Sequence, residues 1–427
     1  MAAALFWISS GLIAFTHVGY AAVLWLLRGA GVGAAGPPPD GAGELPRVSL
    51  IVAAYDEEAV IAAKVANALA LDYPRERLEI IVVSDGSADA TVERARQAGA
   101  DLVLDLPRGG KSMAQNAAAE RASGEVLAFS DANSDWGQGA LRELVSVFAD
   151  PAVAYACGQV SFSAASATGA AAGAPVANAA AAADGAPATK AAAGAAAPMP
   201  DNQEGLYWRY EIAVRRLESD LGGVTAGNGA IYAVRAAEYI PLGPAGSHDL
   251  SLPFLLAKRG RRSVFTPAAR ATELMVPSLT GEWQRKRSMM IGIWDIVVGE
   301  GMVRPGGYPP LYGFQIYAHR ITRYLTPFLH LAALGSSVVL ALRGRRLYAA
   351  ALGVQAAVLA AAALAPAAAR LAPALPLAPL RVARYYVLMT ASIAAGLWDR
   401  LRATRRSRGH GSAAGPVGTW EKSEGTR

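Results

Sequence analysis

The stretch FSDANSDW, Phe129 to Trp136, ends a short apolar run with two acids, an amide and an indole. Carboxylate and amide oxygens are hard donors that suit Mg²⁺ or Mn²⁺, and a cation held by them can in turn hold a diphosphate. A polar turn is the simpler account of the same residues. A second acid, Asp85, closes the apolar run LEIIVVS, and Lys111 stands in RGGKS at the expected start of a helix. In one parallel sheet both acids would fall at the carboxyl rim, where ligands bind and where turn amides and helix N-termini favour anions. Two strand-end acids at such a rim, with a lysine nearby, suggest a phosphate ligand and a bridging cation. RGGKS is not a P-loop, because the first glycine of GxxxxGK[ST] would fall at Asp105. The glycine fingerprint of a dinucleotide site is also missing after VSLIVAAY.

The elements that must position these residues alternate regularly. VSLIVAAY, LEIIVVS, ADLVLDL and EVLAFS read as strands; EEAVIAAKVANALALDY, ADATVERARQAG and GKSMAQNAAAERAS read as the helices between them. Continuous Val/Ile/Leu runs alternating with helices predict an α/β fold, a mostly parallel sheet with helices on both faces. Ala164 to Pro200 is almost wholly Ala, Gly, Pro, Ser and Thr; it lacks the large side chains of a core and is expected to be a disordered insertion without chemistry.

The chain of 427 residues is 53% hydrophobic and 17% charged, more apolar than a typical soluble domain. Its apolar residues are clustered. Leu5 to Leu27 is long enough to cross a bilayer, has no basic segment before it and is too long for the core of a signal peptide. Further apolar segments run over Tyr324–Leu342, Leu347–Pro366 and Ala383–Trp398. The net charge is +6, and much of the excess basic charge lies near these segments and suits a lipid bilayer; no basic–aromatic module points to nucleic acid. The one cysteine, Cys157, excludes an internal disulfide and a CxxC metal site.

In order and spacing, VSLIVAAYDEE, IIVVSDGSADAT, GKSMAQNAA and FSDANSDW resemble the nucleotide-sugar half of a family 2 glycosyltransferase. GNGAIYAVR resembles its acceptor-side loop, HDLSLPFLLAKRGRRSVF the segment with the catalytic base, and EWQRKRS the QxxRW motif of membrane-embedded polysaccharide synthases. The resemblance spans about 47–301 and implies a GT-A, Rossmann-like domain that uses a nucleoside diphosphate sugar, expected to be a UDP-sugar, and Mg or Mn. It implies that Ala54 and Tyr55 line the base pocket, that Asp85 contacts the nucleoside, and that Lys111 and Asn116 lie near the nucleotide. Asp131 matches the first acid of the DxD metal motif, whose third position is Asn133 here. Asp249 is the candidate base, preceded by His248 where many relatives carry an acid, and it could also cap the helix LSLPFLLAKRG. Gln284 and Arg287 share a helix face, from which Arg287 could fork onto the diphosphate or lie among headgroups. Ser288 replaces the motif's Trp. Gly227, Asn228, Gly229 and Trp208 are the candidate acceptor contacts, and His319 and Arg320 read as bilayer-interface residues.

The expected organisation is a transmembrane helix at 1–28, a linker at 29–46, a transferase domain at 47–282 and an interfacial region at 283–323. A membrane region of two or three spans follows at 324–402, then a polar tail at 403–427. The expected activity is inverting transfer of a hexosyl group to a polysaccharide or lipid-linked acceptor, with the domain on the cytoplasmic face of the cell (inner) membrane. The alternatives are single addition to a polyprenyl phosphate or lipid, and a non-catalytic subunit of a polysaccharide export complex.

Overall fold

The computed structural model describes residues 1–33, 44–163, 203–274, 279–371 and 378–410. The insertion expected at 164–200 and most of the polar tail lie outside the described residues. One eight-stranded sheet joins β1 (Val48–Ala54), β2 (Leu78–Asp85), β3 (Leu102–Leu106), β4 (Val126–Asp131), β5 (Asp135–Trp136), β6 (Val153–Ser163), β7 (Ile231–Arg235) and β8 (Arg262–Leu274) in the order β3-β2-β1-β4-β7-β6-β8-β5. β3, β2, β1 and β4 are mutually parallel, and β7 runs antiparallel between β4 and β6. Register places Ala54 opposite Ser84 and Ala53 opposite Asp131, so Ala54, Asp85 and Asp131 end adjacent strands at one rim.

Helices α2 (Ile61–Leu69), α3 (Thr91–Gln97), α4 (Lys111–Arg121) and α5 (Ala140–Ser146) follow β1, β2, β3 and β5. Because side chains alternate along a strand, the Val/Ile runs supply two cores at once. Leu50, Val52, Ile80 and Val82 pack on one face of the sheet; Ile51, Ala53, Ile81, Val83, Leu127 and Phe129 pack on the other.

The second half adds α6 (Gln203–Leu221), α7 (His248–Lys258) and α8 (Leu279–Trp294). Among the described residues three helices are long and apolar enough to cross a membrane: Ala2–Gly29, Pro310–Leu342 and the one beginning at Arg346. We label these α1, α9 and α10 (Arg346–Leu371). The apolar segment Ala383–Trp398 lies in α11 (Ala378–His410). α11 packs along α8, where Trp294 Nε1 donates to the Ile393 carbonyl at 3.3 Å and Arg400 Nε donates to Asp295 at 2.6 Å.

Candidate active site

Asp85 is buried, and its carboxylate is occupied by the next loop. It accepts from the Gly109 and Gly110 amides at 2.7 and 2.9 Å and pairs with Arg108 at 3.2 Å. Gly110 precedes α4 with φ 97°, a conformation that favours glycine. The turn puts Lys111 at the start of α4, where its ammonium pairs with Asp131. Burial works against the Lys111 charge, but Asp131, with Asp249 and Glu273 acting in the same sense, raises its pKa. The Arg108 guanidinium lies 3.3 Å from the centre of the Tyr55 ring, beside buried Ala54. The loops after β1 and β2 are tied together: Asp56, at φ 48°, donates from its amide to Ser87 Oγ and accepts from the Ala88 amide.

The turn in FSDANSDW is supported from behind. Asn67 Nδ2 donates to the Trp136 carbonyl and Asn67 Oδ1 accepts from its amide, at 2.8 and 3.0 Å, while buried Lys64 donates to the Ser134 carbonyl at 2.7 Å. Burial pushes the Lys64 pKa down to about 7, despite Asp135 and Asp131 nearby. The Trp136 indole is buried and donates to the Ala230 carbonyl at 3.0 Å, so its place in the motif is that of an anchor. Among the described residues no group of three His, Cys, Asp or Glu side chains could hold a metal alone. Asp131 and Asn133 offer one carboxylate and one amide on a short turn. That donor set fits a hard cation when a phosphate ligand completes the oxygen shell.

Asp249 lies in the first turn of α7, whose N-cap position is Ser247; the Ser247 hydroxyl donates to the Asp249 carboxylate. The Asp249 carbonyl accepts from the Gly227 amide at 2.7 Å. A Cβ at Gly229 would lie 3.5 Å from Lys111 Nζ and 3.8 Å from Asp131 Oδ2. The loop 227–229 therefore joins the Asp249 turn to the Lys111–Asp131 pair. Asn228 anchors that loop by donating to the Gly158 carbonyl and accepting from the Ile231 amide. Tyr155 fixes its path: a Cβ at Gly227 would meet the Tyr155 hydroxyl and lie 2.9 Å from Cζ.

Two predicted site residues are engaged elsewhere in the protein. The Asn116 amide is engaged within the protein, with Leu242 and Tyr239. Arg287 forms a two-pronged pair with Asp399 of α11, at 2.6 and 2.8 Å. The side chains of Gln284 and Trp208 lie outside the described residues.

The far side of the loop is fastened to the apolar helices through Glu218 of α6, a fully buried acid. It accepts from Tyr20 of α1 at 2.7 Å, from His319 of α9 at 2.6 Å, and from the Thr225 amide and hydroxyl. Burial alone would raise its pKa; His319, Arg320 and these donors instead bring it to about 2. Arg320 donates to the Thr225 hydroxyl at 2.8 Å, and Tyr312 to the Val224 carbonyl at 3.0 Å. A π-helical turn at Ile316–Ile321 carries His319 and Arg320. Both are buried within the protein, His319 bonded to Glu218 and Arg320 to the loop at Thr225, which corrects their reading as bilayer-interface residues. Sequence reasoning also missed Arg108, Lys64 and Glu218. The basic start of RGGKS and the lone lysine on an otherwise apolar helix were signals for the first two.

Residues 49–169 match the family model described as Glycosyl transferase family 2. Those residues carry a family 2 glycosyltransferase domain. Over 113 residues the chain is 36% identical to a beta-monoglucosyldiacylglycerol synthase of Synechocystis sp., covering 25% of this chain and 24% of that one. Over 124 residues it is 32% identical to Glycosyltransferase AglE of Haloferax volcanii, covering 28% and 41%. The chain thus spans less than half the length of these curated relatives. Its fold is similar to that of the mannosyltransferase PcManGT of Pyrobaculum calidifontis, solved with GDP-Man and Mn2+, with TM-score 0.64 and 21% identity over 93% of this chain and 99% of that one. The family 2 domain carries the GT-A sheet expected from its sequence, here with three helices that fit a membrane protein.

Proposed function

We propose that the chain transfers a hexosyl group, with inversion, from a nucleoside diphosphate sugar to an acceptor held at the bilayer. The observation that carries this reading is the loop 224–229, which touches the Asp249 turn and the Lys111–Asp131 pair at one end and the apolar helices at the other. An acceptor entering beside that loop arrives from the membrane side. Ala54, Tyr55, Arg108 and the Asp85 loop frame the nucleoside, with uracil the expected base. Lys111 meets the diphosphate and stabilises the charge that grows on it as it leaves. Asp131 and Asn133 would hold a divalent cation, Mg or Mn, which when bound adds positive charge beside the same leaving oxygens. The Asp249 carboxylate takes the proton of an acceptor hydroxyl while that oxygen bonds to the anomeric carbon. The bond from that carbon to the diphosphate breaks on the opposite face, and the diphosphate leaves with the electron pair.

On this reading 47–282 is the transferase domain, facing the cytoplasm at the cell (inner) membrane, and 283–323 is interfacial. The region 324–402 then spans the bilayer. Single addition to a lipid-linked acceptor is favoured over chain extension, because Arg287 is engaged by Asp399 and Ser288 stands in the motif's Trp position. The protein in membranes, incubated with a panel of nucleotide sugars with and without Mn²⁺, should release one nucleoside diphosphate per labelled lipid product of a single added sugar. Products of graded length would favour polysaccharide extension, and no release from any donor would contradict the reading.

A further inference from the structure

His248 is buried at 3% exposure, its ring edge-on to Phe129 and between two tyrosines. Tyr232 Oη lies 2.7 Å from Nδ1, and Tyr239 Oη lies 3.1 Å from Nε2. The surrounding bonds dictate which nitrogen carries the hydrogen. The Leu242 amide donates to Asn116 Oδ1 while Asn116 Nδ2 donates to the Leu242 carbonyl, which fixes the orientation of that amide. Asn116 Oδ1 is therefore an acceptor, and the Tyr239 hydroxyl donates to it at 2.7 Å. The one hydrogen of Tyr239 is thus used, so its oxygen accepts from His248 Nε2–H. Nδ1 is left with its lone pair and accepts from Tyr232, whose oxygen accepts from Gln115 Nε2 at 3.1 Å.

We propose that His248, fixed as the Nε2–H tautomer by Tyr232 and Tyr239, is a positioning residue for Asp249. It ties the start of α7 to the helix that carries Lys111, through Gln115 and Asn116, and packs it on Phe129, two residues before Asp131. The proposal rests on Asp249 being the base, as read above. Burial, with the Lys111 charge, pushes the His248 pKa down to about 3. Of the groups facing the ring, Tyr232 and Tyr239 are shifted up by burial, and Lys111 also titrates above its ordinary value. A neutral ring therefore places no charge beside Asp249 through the physiological range. A carboxylate at 248 could only accept, and Tyr239 has no second hydrogen to give it. Glutamine keeps both roles, with Nε2 donating to Tyr239 and Oε1 accepting from Tyr232.

His248→Gln and His248→Glu differ at one atom and test this directly. Transfer by the full-length protein is measured beside Asp249→Asn, with thermal midpoints for all variants. We expect H248Q to keep kcat within about threefold, and H248E to lose about thirtyfold or more in kcat with the donor KM within about threefold, the pattern of a misplaced group. The acid limb of the kcat profile should coincide in wild type and H248Q. Equal kcat for H248E and wild type, or a limb that moves in H248Q, overturns the proposal. If D249N is inactive while H248E is fully active, only the positioning claim fails; if D249N is fully active, the base assignment fails with it. On ¹⁵N-histidine protein, whether active or not, the resonances lost in H248Q should report protonated Nε2 and bare Nδ1 from about pH 8 to about pH 5. A protonated Nδ1 in that range also overturns it.

Discussion

Residues 48–131 build their side of the site from four parallel strands, with a helix after each of the first three, whereas residues 203–274 reach the same site through bonds to distant parts of the chain. On the first side the polar groups answer to neighbours within one or two loops: Asp85 to Gly109 and Gly110, Asp131 to Lys111. On the second, Glu218 meets Tyr20 and His319, 198 and 101 residues away. Loop amides can organise such a rim locally, because backbone N–H groups there already need acceptors. A loop beside apolar helices has less water to satisfy its polar groups, and a buried charge with several donors does so instead.

Removing chemistry should have the largest effect: Asp131→Ala and Asp249→Asn should each lower transfer on the order of 10³-fold while leaving the thermal midpoint nearly unchanged. Next comes the long-range anchor. Glu218→Ala strands His319 and the Thr225 amide in the interior and should destabilise the protein by about 3–5 kcal/mol, read as a lowered unfolding midpoint. The Glu218 carboxylate adds stability above its ordinary value of 4.5, and that contribution is lost as pH falls through 4.5 towards about 2. Melting curves of E218A and wild type should therefore converge in that window.

A smaller effect is expected at the loop. Gly227→Ala collides with Tyr155, displacing the amide that holds Asp249, and should cost roughly tenfold or more in kcat. Tyr155→Phe removes the nearest atom of the collision, so the double variant should recover part of the loss. Arg287→Ala should change least, less than about threefold in activity and within about 0.5 kcal/mol in stability, since it breaks an exposed pair with Asp399. A loss as large as that of D131A would return Arg287 to the diphosphate.

The asymmetry also explains what could be read from the sequence. Val/Ile/Leu runs broken by helical patterns give away β1 to β4 and the strand ends at Asp85 and Asp131, because a buried parallel strand must be apolar on both faces. Lys111 is legible as positive charge near that rim, at the start of the helix that leads into β4, whereas its pairing with Asp131 is not. The engagement of Arg287 by Asp399 was not legible: they are 112 residues apart, and helical periodicity gives a face without its partner. Nor was the burial of His319 and Arg320, since a basic pair at the edge of an apolar helix has the same pattern whether it meets headgroups or a buried glutamate. His248 was visible only as a departure from its relatives; the donors and acceptors that fix its tautomer come from three separate elements.

The central claim is that one rim divides the labour, with Lys111 and Asp131 gripping the donor and Asp249 activating the acceptor. Calorimetric titration of the preferred nucleotide sugar, in the presence of Mn²⁺, into D131A and D249N tests it most directly. The account predicts that D249N binds the donor about as tightly as wild type yet forms no product, while D131A loses donor affinity by about tenfold or more. Equal donor binding by all three proteins, or loss of binding in D249N alone, would contradict it.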